Sequence, residues 1–362
     1  MSHLFRDEEA ALLLGREPVD IDLQEIAGYV TGKHILVTGG GGSIGSELCR
    51  LLAQFHPAQL LLLDHDENSI YAIEHELKRK YSHVSIEAII ADIRDKKRIA
   101  DIFSVYRPSI IFHTAAHKHV PLMEANPTEA VQNNIFGTQH VAECAHEYGA
   151  DTFVLISTDK AVKPACVMGA TKRVAEKIIH TMNAISPTKF VAVRFGNVLG
   201  SQGSVVPLFK QQILEGGPVT VTHQDMVRFF MTIREAVELV IQAGAYAKGG
   251  EIFILDIGQP VKILDLAHQL IQLSGLQPNQ DIHVTYSGVR PGEKMIEEIV
   301  NDEEEMKATK HNRILVIKPS DTLRKDQLSS MLNKLEEIIS HVNSLTSTNE
   351  IRALLWEIVQ GG

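Results

Sequence analysis

The stretch His34 to Gly45 reads H-I-L-V-T-G-G-G-G-S-I-G. An apolar run enters a glycine cluster, and the segment from Ser43 carries Ile44, Leu48, Leu51, Leu52 and Phe55 at helical spacing. Strand, glycine turn and amphipathic helix in that order predict a dinucleotide-binding unit. Gly40, Gly42 and Gly45 fit G-x-G-x-x-G, and Gly39, Gly42 and Gly45 fit G-x-x-G-x-x-G. Glycines keep such a turn tight and let its backbone approach a pyrophosphate seated on the N-terminus of the following helix. Gly39, Gly42, Ser43, Ile44 and Gly45 are the expected contacts. The next apolar run ends in Asp64, nineteen positions after Gly45, where a carboxylate accepts the ribose hydroxyls of NAD. His65, Asp66 and Glu67 follow without Arg or Lys, so a 2′-phosphate would meet negative charge and NAD is favoured over NADP.

Outward from this unit the pattern alternates. Strands are predicted over 34–38, 60–64, 85–91, 110–114, 152–157 and 190–195, with helices over 43–55, 69–81, 96–106, 128–148 and 169–182. Strands alternating with helices of ten or more residues imply a doubly wound α/β Rossmann sheet, parallel and covered on both faces. The near-continuous apolar runs L-L-L-L-D and F-V-L-I-S fit strands buried on both sides. Asp92 and Ile93, at the end of the third strand, are expected near the adenine.

After residue 200 the rhythm loosens. Helices are predicted over 233–247 and 263–274, strands over 252–257 and 283–286, and mostly helix from about residue 321. Residues 302–305 read as a solvated acidic surface. The expected organisation is a helical arm over 1–30, the cofactor domain over 31–200 with 229–258 returning to it, a smaller α/β substrate lobe over 201–320 and a helical tail over 321–362. The only tryptophan, Trp356, reads as packing or oligomer surface.

With 362 residues the chain is long enough for two or three domains and needs no disulfide or metal staple. Its net charge of −10 argues against a general nucleic-acid binder. Cys49, Cys144 and Cys166 show no paired or metal-ligand spacing, which suits a reducing compartment. The acidic N-terminal stretch does not read as a signal peptide, and no apolar run reaches the roughly 20 residues of a membrane span. The expectation is a soluble, cytoplasmic protein. His113, His117 and His119 lack acidic or Cys partners at ligand spacing, so no metal is expected.

Chemistry concentrates in two segments. S-T-D-K, Ser157 to Lys160, ends a buried strand, and M-G-A-T-K, Met168 to Lys172, opens a helix. Ligands of open α/β sheets bind at the carboxyl edge where both belong.

The order T-G-x-x-G-x-x-G, A-A-H-K-H, N-N-x-x-G-T, S-T-D-K and x-x-x-x-K resembles the extended short-chain dehydrogenase/reductase family. Most members carry Tyr four residues before the Lys; here that residue is Met168. L-L-G-R-E-P-V at 13–19, L-L-D-H-D-E-N-S at 62–69, H-T-A-A-H-K-H-V-P-L-M-E at 113–124, R-F-G-N-V-L-G-S at 194–201 and V-R-P-G-E-K at 289–294 are similar to UDP-N-acetylglucosamine 4,6-dehydratases of the CapD type. Many of these carry N-terminal membrane helices, so the chain resembles a soluble short form. Met168 resembles the branch that retains configuration at C5.

The resemblance implies a lyase with internally recycled NAD. C4 of the sugar is oxidised, water is lost across C5 and C6, and the hydride returns to C6. It casts Asp159 as acid at the C6 oxygen and Lys160 as base at C5, with the Lys160 pKa lowered. Thr158 would bond the 4-hydroxyl, and Lys172 would hold the nicotinamide ribose. Asp159, through Thr158 or a water, would take the C4 hydroxyl proton that the missing Tyr leaves. Ala115, Lys118 and Asn133 are implied near the cofactor, and Lys118, Asn197, Val205, Arg228, Arg290 and Glu293 near the UDP-sugar. A homo-oligomer is implied too. A UDP-sugar 4-epimerase and a non-catalytic nucleotide binder are the competing functions. The paired Asp159 and Lys160 speak against the first, and the retained Lys172 and S-T-D-K against the second.

Overall fold

Runs of fully buried apolar residues, Leu60 to Leu62 and Phe153 to Leu155 among them, can be satisfied only in strands covered on both faces. The computed structural model, which describes residues 13–15, 19–256, 258–302, 304–319, 324–340 and 345–360, builds a sheet around them. Strands β1 (His34–Thr38), β2 (Gln59–Asp64), β3 (Ile86–Ile90), β4 (Ile110–His113), β5 (Thr152–Ile156) and β6 (Lys189–Arg194) pair in parallel in the order 3-2-1-4-5-6. The short strands β7 (Asn197–Val198), β8 (Val219–Val221) and β9 (Val227–Met231) follow. Strand β10 (Ile252–Leu255) then returns to pair in parallel with β6. Of the remainder, β11 (Pro260–Lys262) joins β9, and β12 (Val284–Tyr286) joins β8. The last two, β13 (Lys307–Ala308) and β14 (Ile314–Ile317), extend the main sheet antiparallel beyond β10. These two edge strands escape a reading that expects only helix-linked strands, because antiparallel neighbours need no crossover and only a short apolar run.

Two cores sandwich the sheet. One lies under helices Ser43–Leu52, Glu67–Lys80 and Ile233–Ala245, with Ile26 and Val30 of helix Leu23–Val30 joining it. The other lies under Lys96–Tyr106 and Thr138–Glu147. A third cluster buries Leu328, Leu332, Leu335, Ile351, Leu355 and Ile358 of the two C-terminal helices against Val131, Ile135, Val167 and Val174. Trp356 packs partly buried on that cluster. A fourth holds the lobe of β8, β9 and helices Val205–Leu214 and Ile263–Leu273 together.

The single helix predicted over 128–148 forms in three pieces: Pro127–Val131, a π-helical turn Gln132–Gly137, and Thr138–Glu147. Asn134 explains the widened turn. Its amide accepts from the His117 N–H at 2.8 Å and donates to the His117 carbonyl at 2.9 Å and to Thr171 Oγ1 at 3.0 Å. These bonds draw the helix toward the loop after β4 and toward helix Val167–Asn183. Most of the short helix expected before Gly15, and Arg16 to Pro18 of its motif, lie outside the described residues.

Candidate functional site

Parallel pairing aligns the carboxyl ends of β1, β2, β4, β5 and β6 along one edge, where a cavity of about 680 Å³ opens. Its lining runs from Gly39, Gly41, Gly42, Gly45 and Asp64 through Asp92 and Ala115 to Thr158, Lys172, Asn197, Arg228 and Glu297.

The glycine turn has no room for side chains. A Cβ at Gly45 would lie 2.0 Å from the Gly39 carbonyl oxygen, so this position in the first turn of helix Ser43–Leu52 admits only glycine. Asp64 accepts the Gly41 N–H at 2.9 Å and the Asp66 N–H at 3.2 Å, which fixes the turn against the end of β2. An open helix N-terminus behind a glycine turn, faced by a buried carboxylate, fits a dinucleotide. Gly39, Gly42, Ser43, Ile44, Gly45, Asp64, Asp92, Ile93, Ala115, Lys118, Asn133 and Lys172 all line this cavity. Asp92 is already held by Arg94, at 2.6 Å from Nη2, and although burial opposes it, that pairing keeps its carboxyl below the usual range.

The S-T-D-K strip forms a bonded unit at the end of β5. Thr158 Oγ1 donates to Asp159 Oδ1 at 2.8 Å, and Lys160 Nζ donates to the same oxygen at 3.0 Å and to Asn197 Oδ1 at 3.3 Å. Thr158, Lys160, Met168, Lys172 and Asn197 line the cavity. Asp159 is fully buried behind them and does not line it, and its Oδ2 has no hydrogen-bond partner among the described residues. Asp159 thus reaches the cavity only through its bonds to Thr158 and Lys160.

Lys160 departs from expectation in its charge. Burial pulls its pKa down, but Asp159 and then Glu297, whose Oε1 stands 3.9 Å away, outweigh burial and leave it above the usual lysine value. Its surroundings thus do not lower it, as the base role expected of it would require. Lys172 behaves the opposite way. Burial lowers it to about 8, against the pull of Glu176.

Helix Val167–Asn183 carries Met168 and Lys172 to the strip because Gly169 lets it. A Cβ there would sit 2.2 Å from the Lys160 carbonyl oxygen. Below the strip, Ser157 Oγ donates to Glu176 at 2.6 Å, and the fully buried Arg194 binds Glu176 at 2.8 Å and Glu304 at 2.8 Å. Arg194 outweighs burial and holds the Glu176 carboxyl at about 2. Glu304 belongs to the acidic stretch expected to be solvated. It is instead buried, because Arg194 needs a second carboxylate. Asp302 does stay exposed and pairs with Lys163.

Among the residues expected at the sugar, Lys118, Asn197, Arg228 and Glu293 line the cavity; Val205 and Arg290 do not. Val205 packs against the lobe core, and Arg290 is exposed at the start of the turn whose Glu293 N–H returns to its carbonyl. Arg228 spends Nη1 on the carbonyls of Val227 and Met295 and points Nη2 toward Glu297 at 3.9 Å. His113 is buried between Thr38, 2.8 Å from Nδ1, and Thr138, 3.0 Å from Nε2. Burial, and then Lys172, lower its pKa to about 3, so it is neutral. Thr138 gives its own proton to the Asn134 carbonyl, so Nε2 donates and Nδ1 accepts. Glu297, Asn134 and Gly169 were not identified from the sequence. Gly169 lies within M-G-A-T-K and Asn134 within N-N-x-x-G-T, but neither motif assigns them a role, and Glu297 carries no motif signal.

A 3-2-1-4-5-6 parallel sheet, a glycine turn at β1 and a Thr-Asp-Lys strip facing a helix-borne lysine define a Rossmann-fold protein of the extended short-chain dehydrogenase/reductase type. The chain belongs to the polysaccharide biosynthesis protein family, whose model matches residues 35–319. It is 58% identical to the probable polysaccharide biosynthesis protein EpsC of Bacillus subtilis over 300 residues, which are 83% of this chain and 50% of that protein. The chain thus spans about half the length of that relative. It is 33% identical to a UDP-N-acetylglucosamine 4,6-dehydratase (inverting) of Campylobacter jejuni over 84% of this chain and 89% of that one. The solved structure of Pen from Bacillus thuringiensis superposes with a TM-score of 0.74 at 34% identity, covering 82% of this chain and 90% of that one.

Proposed function

We propose that this protein is an NAD-dependent nucleotide-sugar 4,6-dehydratase acting on UDP-N-acetylglucosamine. The observation that carries the reading is the bonded Thr158–Asp159–Lys160 unit beside Lys172 on one cavity wall, a set richer than C4 chemistry alone requires. Similarity to a dehydratase over most of both chains supports it.

NAD, when bound, supplies the acceptor for the C4 hydride and its return at C6. Gly39, Gly42, Ser43, Ile44 and Gly45 would hold its pyrophosphate, Asp64 its adenosine ribose, and Lys172 its nicotinamide ribose. Met168 has no ionisable proton, so the C4 hydroxyl proton goes elsewhere. Thr158 already donates to Asp159 and is placed to take that proton from the sugar while passing its own inward. Asp159, 3.0 Å from Lys160, then restores the proton that the Lys160 ammonium gives to the departing C6 oxygen. This moves the acid role at C6 from Asp159 to Lys160 and leaves Asp159 with the C4 proton, because Asp159 lies behind the wall and Lys160 Nζ donates to Asp159 and Asn197. The proton lost at C4 and the hydroxyl lost at C6 make the water released. Arg228 and Lys118 supply positive charge toward the diphosphate.

Met168 in place of Tyr supports retention at C5. The test is incubation with UDP-N-acetylglucosamine, followed by mass and proton NMR. Loss of one water with the D-configured 4-keto sugar is expected. An unchanged mass with a new C4 epimer indicates an epimerase, and an L-configured product refutes retention.

A further inference from the structure

We infer that Glu297 is the catalytic base that removes the C5 proton and later returns it to the same face of the sugar. This rests on the dehydratase reading. Lys160 Nζ donates to Asp159 Oδ1 and Asn197 Oδ1 and is thus placed as a donor, so the reaction still needs a carbanion-forming base, and Glu297 is a carboxylate on the same cavity wall. It is only 5% exposed, yet its nearest cations, Lys160 Nζ and Arg228 Nη2, both stand 3.9 Å away, too far for a hydrogen bond. Among the described residues it therefore has no close donor that would spend its lone pairs. Its charged neighbours are Lys160 and Asp159 of the strip, Arg228 of β9, Lys294 three residues before it and the Cys166 thiol. Burial raises its carboxyl above the usual range. The cations Lys160, Arg228 and Lys294 pull the other way, and Asp159 adds to the rise. A raised carboxylate is better matched to proton abstraction beside a ketone than an exposed one.

The protons balance. At C5 the C–H bond breaks and an O–H bond forms on Glu297; the electron pair flows toward C6 as the C6–O bond breaks, with the proton for that oxygen coming from Lys160. When hydride returns to C6, the Glu297 O–H bond breaks and C5–H re-forms. A single group acting on one face gives retention, so Glu297 supplies a structural reason for the stereochemistry proposed on Met168.

The test is Glu297→Gln with UDP-N-acetylglucosamine. Oxidation at C4 is expected to proceed, so reduced cofactor accumulates in a single turnover while water loss falls on the order of 10²-fold. Glu297→Asp, which keeps the carboxylate one methylene back, is expected to fall in between, and it stands in should the Gln variant melt early. Substrate affinity by calorimetry is expected to stay within a few-fold. Water loss at the wild-type rate overturns the assignment. So does a folded variant that has lost C4 oxidation and dehydration together, since its role is then structural. Failure of the wild-type protein to release water overturns the dehydratase reading, and the inference with it.

Discussion

The Lys160 carbonyl oxygen and the α-carbon of Gly169 face each other so closely that a methyl group on Gly169 would lie 2.2 Å from that oxygen. This contact sets the spacing between the strip and the helix carrying Met168 and Lys172. Alanine at Gly169 gains up to about 1 kcal/mol of helix propensity, too little to offset a backbone clash. Gly169→Ala is therefore expected to destabilise the protein by about 1–3 kcal/mol. Because the helix must back away, kcat should also fall by roughly 10²-fold. Urea unfolding and steady-state rates check both, and an unchanged kcat would show that the spacing does not matter.

A second expectation concerns the ion cluster beneath the strip. Arg194 is fully buried and holds Glu176 and Glu304, which are 18 and 110 positions away in sequence. Arg194→Met leaves two buried carboxylates with Arg173 near both, at 3.2 Å and 3.6 Å. Removing one partner of such a cluster costs roughly 3–5 kcal/mol. The variant should unfold at markedly lower urea. It should also lose activity more steeply than stability, because Glu304 ties down the segment that presents Glu297. Stability within about 1 kcal/mol of wild type would mean the cluster is not coupled as its geometry suggests.

How much of this was legible from sequence differs by element. The cofactor half was, because its signals are local: the glycine turn, the carboxylate ending β2 and the buried parallel strands all declare themselves within about twenty residues. The strip residues were legible as residue types, but the surroundings of Lys160 were only half legible: Asp159 adjoins it in sequence, whereas Glu297, the second carboxylate beside it, lies 137 positions downstream. The same holds for Glu304, whose acidic neighbourhood reads as surface until Arg194 is seen beside it. The π-helical turn was hidden as well. Its cause, Asn134 bonding the His117 backbone, is a tertiary contact laid over an uninterrupted helical pattern.

Asp159→Asn tests the proton path at C4. Asn keeps the shape and can still accept from Thr158 Oγ1, but it cannot store the proton. C4 oxidation and dehydration are both expected to drop by about 10²–10⁴-fold, with substrate affinity little changed. Loss of reduced-cofactor formation in a single turnover would distinguish this variant from Glu297→Gln, which should keep it. Dehydration at the wild-type rate in Asp159→Asn would sink the relay.

Lys172 makes a prediction that needs no substrate. Its folded value of about 8 lies below the ordinary 10.5, because burial disfavours the ammonium. Between those two values the unfolded chain binds more protons than the folded one, so stability rises with pH through that window. Below it the lysine is charged in both states and the full penalty remains. Lys172→Met removes the penalty. The cofactor-free variant should therefore be more stable than the wild type by roughly 3 kcal/mol at neutral pH, and the gap should close as pH passes from about 8 toward 10.5. Activity should fall in the same variant, since the residue assigned to the nicotinamide ribose is gone. Urea unfolding of both proteins across that pH range decides the matter. A gap that stays constant with pH, or a wild type more stable than the variant at neutral pH, would show that Lys172 is not strained by burial.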